Sequence, residues 1–368
     1  MNIVYLSVLD GRPWAGPTYS VPKQVEAQAR VDHVLWYNQC DRTDTPWKET
    51  MEAWSRKDYY RDLSDYPQAS LKALPEPFNR PDLVIMEQCY RFKKSRILWE
   101  IMRGDIPYVV IPRVELTAKA QKQKGLKKKI GNALIFGRFL KKAAAIQYLT
   151  EQEARESGTG WNPRFLVLPN GSDASGEMRK TQAHAGIRCI FIGRMAPYHK
   201  GLDLLLEACA NIREEMTAAG CEIDVYGPDR EGRMAEMQQI AREKGIDGLL
   251  RFHDGIYGEE KTRKMRESDV FLMTSRFEGH PTALLDAMSM GIPVMVTRGT
   301  NMLEEVKAAD AGWTAEGNVE SIQQMILTMI RERDLLETKG ANAKKLSEKY
   351  DWDAIAERGH ELYLQLLK

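Results

Sequence analysis

Apolar positions along this chain fall into two alternating patterns. Short continuous runs rich in Val, Ile, Leu, Tyr and Phe predict strands buried on both faces. Between them lie stretches in which apolar residues recur every three or four positions, the spacing of one helix face. In the first half the strand-like runs are NIVYLSVL (2–9), HVLWYN (33–38), PDLVIME (81–87), PYVVIP (107–112), AIQYLT (145–150) and RFLVLP (164–169). In the second they are IRCIFIG (187–193), CEIDVYG (221–227), RFHDG (251–255), DVFLMTS (269–275) and IPVMVTR (292–298). LDLLLEACANIREEM, residues 202–216, reads as a single helix. Strands alternating with helices predict an α/β fold of parallel sheets covered by helices, in two doubly wound halves. The polar stretch NGSDASGEMRKTQAHAG (170–186) is the natural boundary, giving domains 1–178 and 179–349, with a final helix in 350–368 after a complete second sheet. Ligands of open α/β sheets bind outside the carboxyl ends of the strands, so the loops after strands are where chemistry is expected. Two such edges facing each other would form a cleft.

Composition narrows this picture a little. A length of 368 residues with 43% apolar content suits two soluble cores. The net charge of +1 names no partner class. No apolar run reaches the roughly 18 residues needed to span a bilayer, and the N-terminal MNIVYLSVL reads as a buried strand rather than a signal peptide. The cysteines, at 40, 89, 189, 209 and 221, form no CxxC pair. They read as buried free thiols, which fits a reducing cytoplasm. The six histidines show no zinc-ligand spacing, and no metal is expected. One segment departs from the even charge distribution: Lys119–Lys142 holds nine basic residues and no acidic one. It is either a solvated helix face or a basic surface for acidic lipid headgroups or a phosphate-bearing acceptor. Its interludes ALIF and FL favour a membrane surface over nucleic acid, since few aromatics are present for base stacking.

Candidate chemistry gathers in loops. In SRFEGHPTALLDAMSMGIPVMV (275–296), Glu278 precedes a helix start at Pro281, and Asp286 lies inside that helix. Five residues separate Pro281 from Asp286, about 7.5 Å along a helix axis. Two carboxylates so placed can address different parts of one extended ligand, and a carboxylate can accept from vicinal hydroxyls. Backbone N–H groups at that helix start would attract phosphate; alternatively Glu278 only caps the helix dipole. In FIGRMAPYHKGLDLLLEA (191–208), a strand ends at Gly193 and a loop carries Arg194 and Lys200 into a helix. Two cations there would hold an anion or simply be solvated. Neither GxxxxGK[ST] nor GxGxxG occurs. FLVLPNGSD (165–173) and GRPWAGPTYSVPKQ (11–24) are further strand-to-loop passages, and Gly16 in the second permits close backbone approach to a phosphate.

In this order, the motifs resemble the retaining GT-B glycosyltransferases of glycosyltransferase family 4 (glycosyl transferases group 1) over nearly the whole chain. The most specific match is EGHPTALLD followed by MSMGIPVMVT; GRMAPYHKG and LPNGSD come next, and YDWDAIAERGHELYLQL looks like the family's last helix. The resemblance implies two Rossmann-like domains facing each other across a cleft, with the last helix packed on the N-terminal, acceptor-binding domain. It implies a nucleotide diphosphate sugar, of UDP or GDP type, bound by the C-terminal domain. Arg194 and Lys200 would hold the diphosphate, Glu278 the sugar, and Asp286 the ribose. Gly193, Gly279, His280, Pro281 and Thr282 would line the donor. Gly16 would face the phosphates and Tyr257 the base. Asp286 stands where the family pattern has Glu, one methylene longer. PRVEL stands where many members carry a histidine, so Arg113 and Glu115 become the acceptor-side candidates.

The expected reaction is transfer of a sugar to a hydroxyl acceptor, lipid-linked or glycan, with retention and without a metal or other cofactor. The setting would be bacterial cell-surface polysaccharide or glycolipid synthesis, in the cytoplasm or peripherally on the inner face of the membrane. Rival readings are a nucleotide-sugar epimerase of the same fold, a non-catalytic binding protein, and RNA binding through Lys119–Lys142.

Overall fold

A computed structural model describes residues 1–13, 15–92, 96–123, 125–172, 178–179, 186–230 and 232–368. The chain forms two compact units, Met1–Gly171 with Trp352–Lys368, and Ser172–Asp351. Most of the polar stretch 170–186, including Asp173, lies outside the described residues.

Among the described residues the first unit has seven strands: β1 Asn2–Ser7, β2 His33–Asn38, β3 Tyr60–Asp62, β4 Leu83–Glu87, β5 Tyr108–Ile111, β6 Ala145–Tyr148 and β7 Phe165–Val167. They lie in the order β3-β2-β1-β4-β5-β6-β7, and every neighbouring pair is parallel, with Val4 opposite Leu35 on one side and Val84 on the other. The twofold alternation of strand side chains splits β1 between two layers. Val4 and Leu6 pack with Phe92, Leu98 and Phe139. Ile3 and Tyr5 pack with Val21, Val25 and Tyr363. Tyr363 belongs to the helix Trp352–Leu366, which lies against the helix Gly16–Val31 and completes the second layer. The Tyr363 hydroxyl donates to Gln147 Oε1 at 2.6 Å, and the Trp352 ring covers Gly171 so closely that a Cβ there would come within 2.4 Å of it.

The second unit has six described strands: β8 Ile187–Ile192, β9 Cys221–Tyr226, β10 Leu250–His253, β11 Val270–Met273, β12 Val294–Thr297 and β13 Gly312–Ala315. Their order is β10-β9-β8-β11-β12-β13, again parallel throughout. All five cysteines are free thiols, four of them buried.

The structure corrects the sequence-based expectation at three places. β3 and β13 were not expected; both are short sheet edges in which Arg61 and Asp62, or Gly312 and Thr314, leave no continuous apolar run. The helix expected over 202–216 is two helices, Leu202–Asn211 and Arg213–Ala219, because Ile212 leaves the helical region (φ −118°, ψ 27°) while its side chain stays buried.

Each sheet reverses its winding once, between β1 and β4 in the first unit and between β8 and β11 in the second. At such a point adjacent strands send their following loops to opposite sides, and a crevice opens at their carboxyl ends.

Candidate active site

The loops after β8 and β11 meet at the switch point of the second unit. Backbone and side-chain hydrogen bonds join them: Arg276 N donates to His199 O at 2.9 Å, and Thr274 Oγ1 to Lys200 O at 3.0 Å. The Arg276 guanidinium grips both carboxylate oxygens of Asp203 at 2.6 and 2.7 Å and lies over the Tyr198 ring. Gly201 makes the approach possible. Its φ is +64°, and a Cβ would lie 2.1 Å from Thr274 O, so only glycine fits.

This junction brings Lys200 and Glu278 together, 78 positions apart in the chain, with Lys200 Nζ 2.5 Å from Glu278 Oε1. Ser275 Oγ donates to the same oxygen at 2.6 Å. Burial pushes the Glu278 carboxyl up, but Lys200 and the Ser275 hydroxyl outweigh it and hold it below the ordinary carboxylate range. Glu278 is therefore an anion at neutral pH. His199 is the reverse case: burial first, then the nearby Lys200 and Arg194, pull its pKa down to about 4 against the opposing pull of Glu278, so it is neutral at pH 7. Arg194 is half-buried, and among the described residues no acceptor takes a hydrogen bond from its guanidinium. Two cations and one carboxylate leave the crevice one positive charge in excess.

The helix Thr282–Ser289 begins immediately beyond Glu278, with Pro281 at its N-cap and no side-chain cap. Leu284 and Leu285 N–H turn back to Pro281 O, so the exposed dipole end belongs to Thr282 and Ala283. Asn301 Nδ2 fixes the approach to this helix, donating to Glu278 O at 2.6 Å and Gly279 O at 3.2 Å. His280 points inward, its Nε2 3.2 Å from Met302 Sδ, so His280 can face a ligand only through its backbone. Asp286 is held by Lys261 Nζ at 2.6 Å. Tyr257 occupies the N-cap position of the helix Gly258–Arg266 without a side-chain cap, and its hydroxyl lies over Gly255, at the carboxyl ends of β9 and β10. Gly193 follows β8, its N–H donating to Tyr226 O at 3.0 Å.

Ser275, Asn301, His199 and Lys261 were missed in the sequence. Ser275 stands three residues before Glu278, a readable spacing; Lys261 and Asn301 act across 25 and 23 positions, which no local pattern reveals.

Gly16, Arg113 and Glu115 lie in the first unit, after β1 and β5. Gly16 opens its helix with open space where a side chain would be. Arg113 is not available to an acceptor. It is buried and donates to Glu87 at 2.6 Å, Ser20 and Asn170 at 3.1 Å and Gln24 at 3.2 Å. Its role is to brace β4, the first helix and the Asn170 loop. Arg113 and Val114 both have positive φ, 48° and 64°, a costly conformation for a β-branched residue. Glu153 holds it by accepting from Val114 N. Glu115 faces Tyr90 N at 3.4 Å and Cys89 Sγ at 3.6 Å; burial raises its carboxyl to about 7.

Part of the chain matches a known family, and the fold matches solved structures. Residues 186–332, which contain the whole Lys200–Glu278 crevice, match the family described as Glycosyl transferases group 1. The chain aligns over its full length with sucrose-phosphate synthase from Thermosynechococcus elongatus, covering 100% of this chain and 99% of that one, at a TM-score of 0.75 and 16% identity. Anabaena HepE in complex with UDP-glucose gives 0.73 and 15%, covering 99% and 100%. The chain has the GT-B fold. Among curated relatives, the D-inositol 3-phosphate glycosyltransferase of Geodermatophilus obscurus is 28% identical over 222 residues, 55% of this GT-B chain and 48% of that protein. The GDP-mannose:cellobiosyl-diphosphopolyprenol alpha-mannosyltransferase of Komagataeibacter xylinus is 26% identical over 236 residues, 62% and 58%. The chain spans about half the length of the curated relatives it matches.

Proposed function

We propose that this protein is a retaining glycosyltransferase of family 4, transferring a sugar from a nucleotide diphosphate sugar to a hydroxyl of a glycan or lipid-linked acceptor. The observation that carries the reading is the Lys200–Glu278–Ser275 cluster at the β8/β11 switch point, beside Arg194 and an uncapped helix start. A surplus of positive charge facing backbone N–H groups suits a diphosphate. In the reaction the anomeric C–O bond breaks with its electron pair going to the diphosphate. The acceptor oxygen bonds to the same face of the sugar, and its proton passes to the departing phosphate. Lys200 and Arg194 stabilise the charge that develops there. Glu278 fixes the ammonium before the donor arrives and presents its second oxygen to the sugar. Asp286, already oriented by Lys261, accepts from the ribose hydroxyls, Tyr257 borders the base, and Gly193, Gly279, His280, Pro281 and Thr282 line the donor. Glu115 is retained as an acceptor-side residue. No metal or other cofactor is assigned to the reaction. Its proposed setting is the assembly of bacterial cell-surface polysaccharide or glycolipid, on the cytoplasmic side of a membrane.

A stability measurement with UDP, GDP, ADP, TDP and CMP and their sugars tests the donor assignment. A nucleotide present at 100 times its dissociation constant adds about 2.7 kcal/mol. A shift confined to one base names the donor class. No shift with any nucleotide overturns the reading.

A further inference from the structure

The helical run Gly125–Lys142, with a π-turn at Asn132–Phe136, has two unlike sides. The inner side is anchored. Phe136, Phe139 and Leu140 lie in the first unit's core with Phe92 and Leu98. Asn132 accepts from the Tyr90 hydroxyl at 2.9 Å and donates to Gln121 at 3.1 Å.

The outer side carries Leu126, Ile130 and Leu134, which are 76%, 53% and 72% exposed. Steps of four place these side chains on one stripe. A single exposed leucine is ordinary; three on one stripe form a patch that water disfavours. Lys127, Lys129, Arg138, Lys141 and Lys142 are exposed on the same run, and no acidic residue occurs from Lys119 to Lys142. A merely solvated helix mixes signs, as Gly258–Arg266 does with GEEKTRKMR. This charge pattern repels a second copy of the same face, and a leucine stripe offers a nucleic acid nothing to stack on. An anionic bilayer satisfies both features at once: acyl chains take the apolar stripe, and headgroup phosphates take the lysines.

We propose that Gly125–Lys142 is a membrane-docking face that lies in the plane of an anionic lipid surface, with Leu126, Ile130 and Leu134 at the acyl boundary. This surface gives the proposed transferase a means of reaching a lipid-linked acceptor. Its binding is independent of sugar transfer, so the two readings can fail separately.

The test is co-sedimentation of the full-length protein with phosphatidylcholine vesicles, with and without phosphatidylglycerol. The wild type partitions onto the anionic vesicles, less so as salt rises. Leu126→Glu with Leu134→Glu lowers that partition about tenfold or more. Lys127→Gln, Lys129→Gln and Lys141→Gln together weaken it and flatten its salt dependence. Thermal stability and nucleotide affinity stay at the wild-type level in both variants, which separates lost docking from misfolding. The proposal is overturned by absence of binding to anionic vesicles at low salt, or by equal binding of the leucine variant. It is also overturned by salt-steep RNA binding without vesicle binding, or by a dimer that the leucine variant dissociates. If nucleotide binds but vesicles do not, this inference falls and the donor assignment stands.

Discussion

Lys200 and Glu278 are worth more as a pair than either alone. Each is mostly withdrawn from water, with side-chain exposures of 10% and 14%, so removing one leaves a buried charge uncompensated. That typically costs about 3–5 kcal/mol. Lys200→Ala should also lower turnover about 10²-fold, the loss of one preorganised charge contact; unchanged kinetics in a folded variant would rule out its role. A double-mutant cycle with Glu278→Gln should show the pair destabilised less than the sum of the single changes. The pH sign follows from the lowered Glu278 carboxyl: its contribution is present above the unfolded carboxylate pKa and lost as pH falls through the folded value. Glu115 works the other way. Its carboxyl, raised to about 7, binds a proton in the folded chain that the unfolded chain has released, so stability falls as pH rises from about 4.5 to 7. Urea titrations of Glu115→Gln should show that slope removed, a difference of up to about 3 kcal/mol at pH 8. The EGHP turn and the YHKG turn stood out in the sequence because charge stood beside a helix start, and the fold brings their Glu278 and Lys200 together. Arg113 entered as an acceptor-side candidate for a different reason, its place in PRVEL where many members of the resembled family carry a histidine. Its partners Glu87 and Gln24 lie 26 and 89 positions away, and nothing local distinguishes a buried brace from a ligand contact.

Elements were legible in proportion to their length. Strands of four or more apolar residues, such as β1, β4 and β11, announce themselves because both faces are covered. β3, with Arg61 and Asp62 among its three residues, has no such signature and is a strand only because β2 offers it a free edge. The break at Ile212 is equally hidden, since LDLLLEACANIREEM keeps a helical period through it. What sets the crevice is the tight joint between elements at Gly201, where the short helix Pro197–Lys200 passes into Leu202–Asn211 under β11. Gly201→Ala meets both a left-handed backbone and the Thr274 carbonyl. The expected loss is roughly 2–4 kcal/mol, with nucleotide affinity lost in parallel. Calorimetry with and without nucleotide measures both, and a neutral substitution would show that the joint can open.

At the scale of the molecule, the strand order explains why one crevice in the second unit gathers residues from 193 to 301. Parallel winding sends every carboxyl end to one edge, and the reversal at β8/β11 parts the loops there. The last helix is as integral to the first unit as its strands are: Tyr363 and Ile355 sit in its core, His360 meets Asp32 at 2.9 Å, and Arg30 pairs with Asp353. Deleting 352–368 should therefore expose the first unit to proteolysis while the second stays protected. Equal protection of both halves would contradict the packing described here.

That arrangement also sets a timetable. The first unit is interrupted after Gly171 and finished only by Trp352–Lys368, with the whole second unit threaded between. On the ribosome its seven-stranded sheet is complete long before its last helix exists, so Ala27 waits without Trp352 and Ala356 while some 180 further residues are made, a delay of about ten to forty seconds at ordinary synthesis rates. The half synthesised first is the half that matures last, and during that interval the nascent chain is most in need of a chaperone.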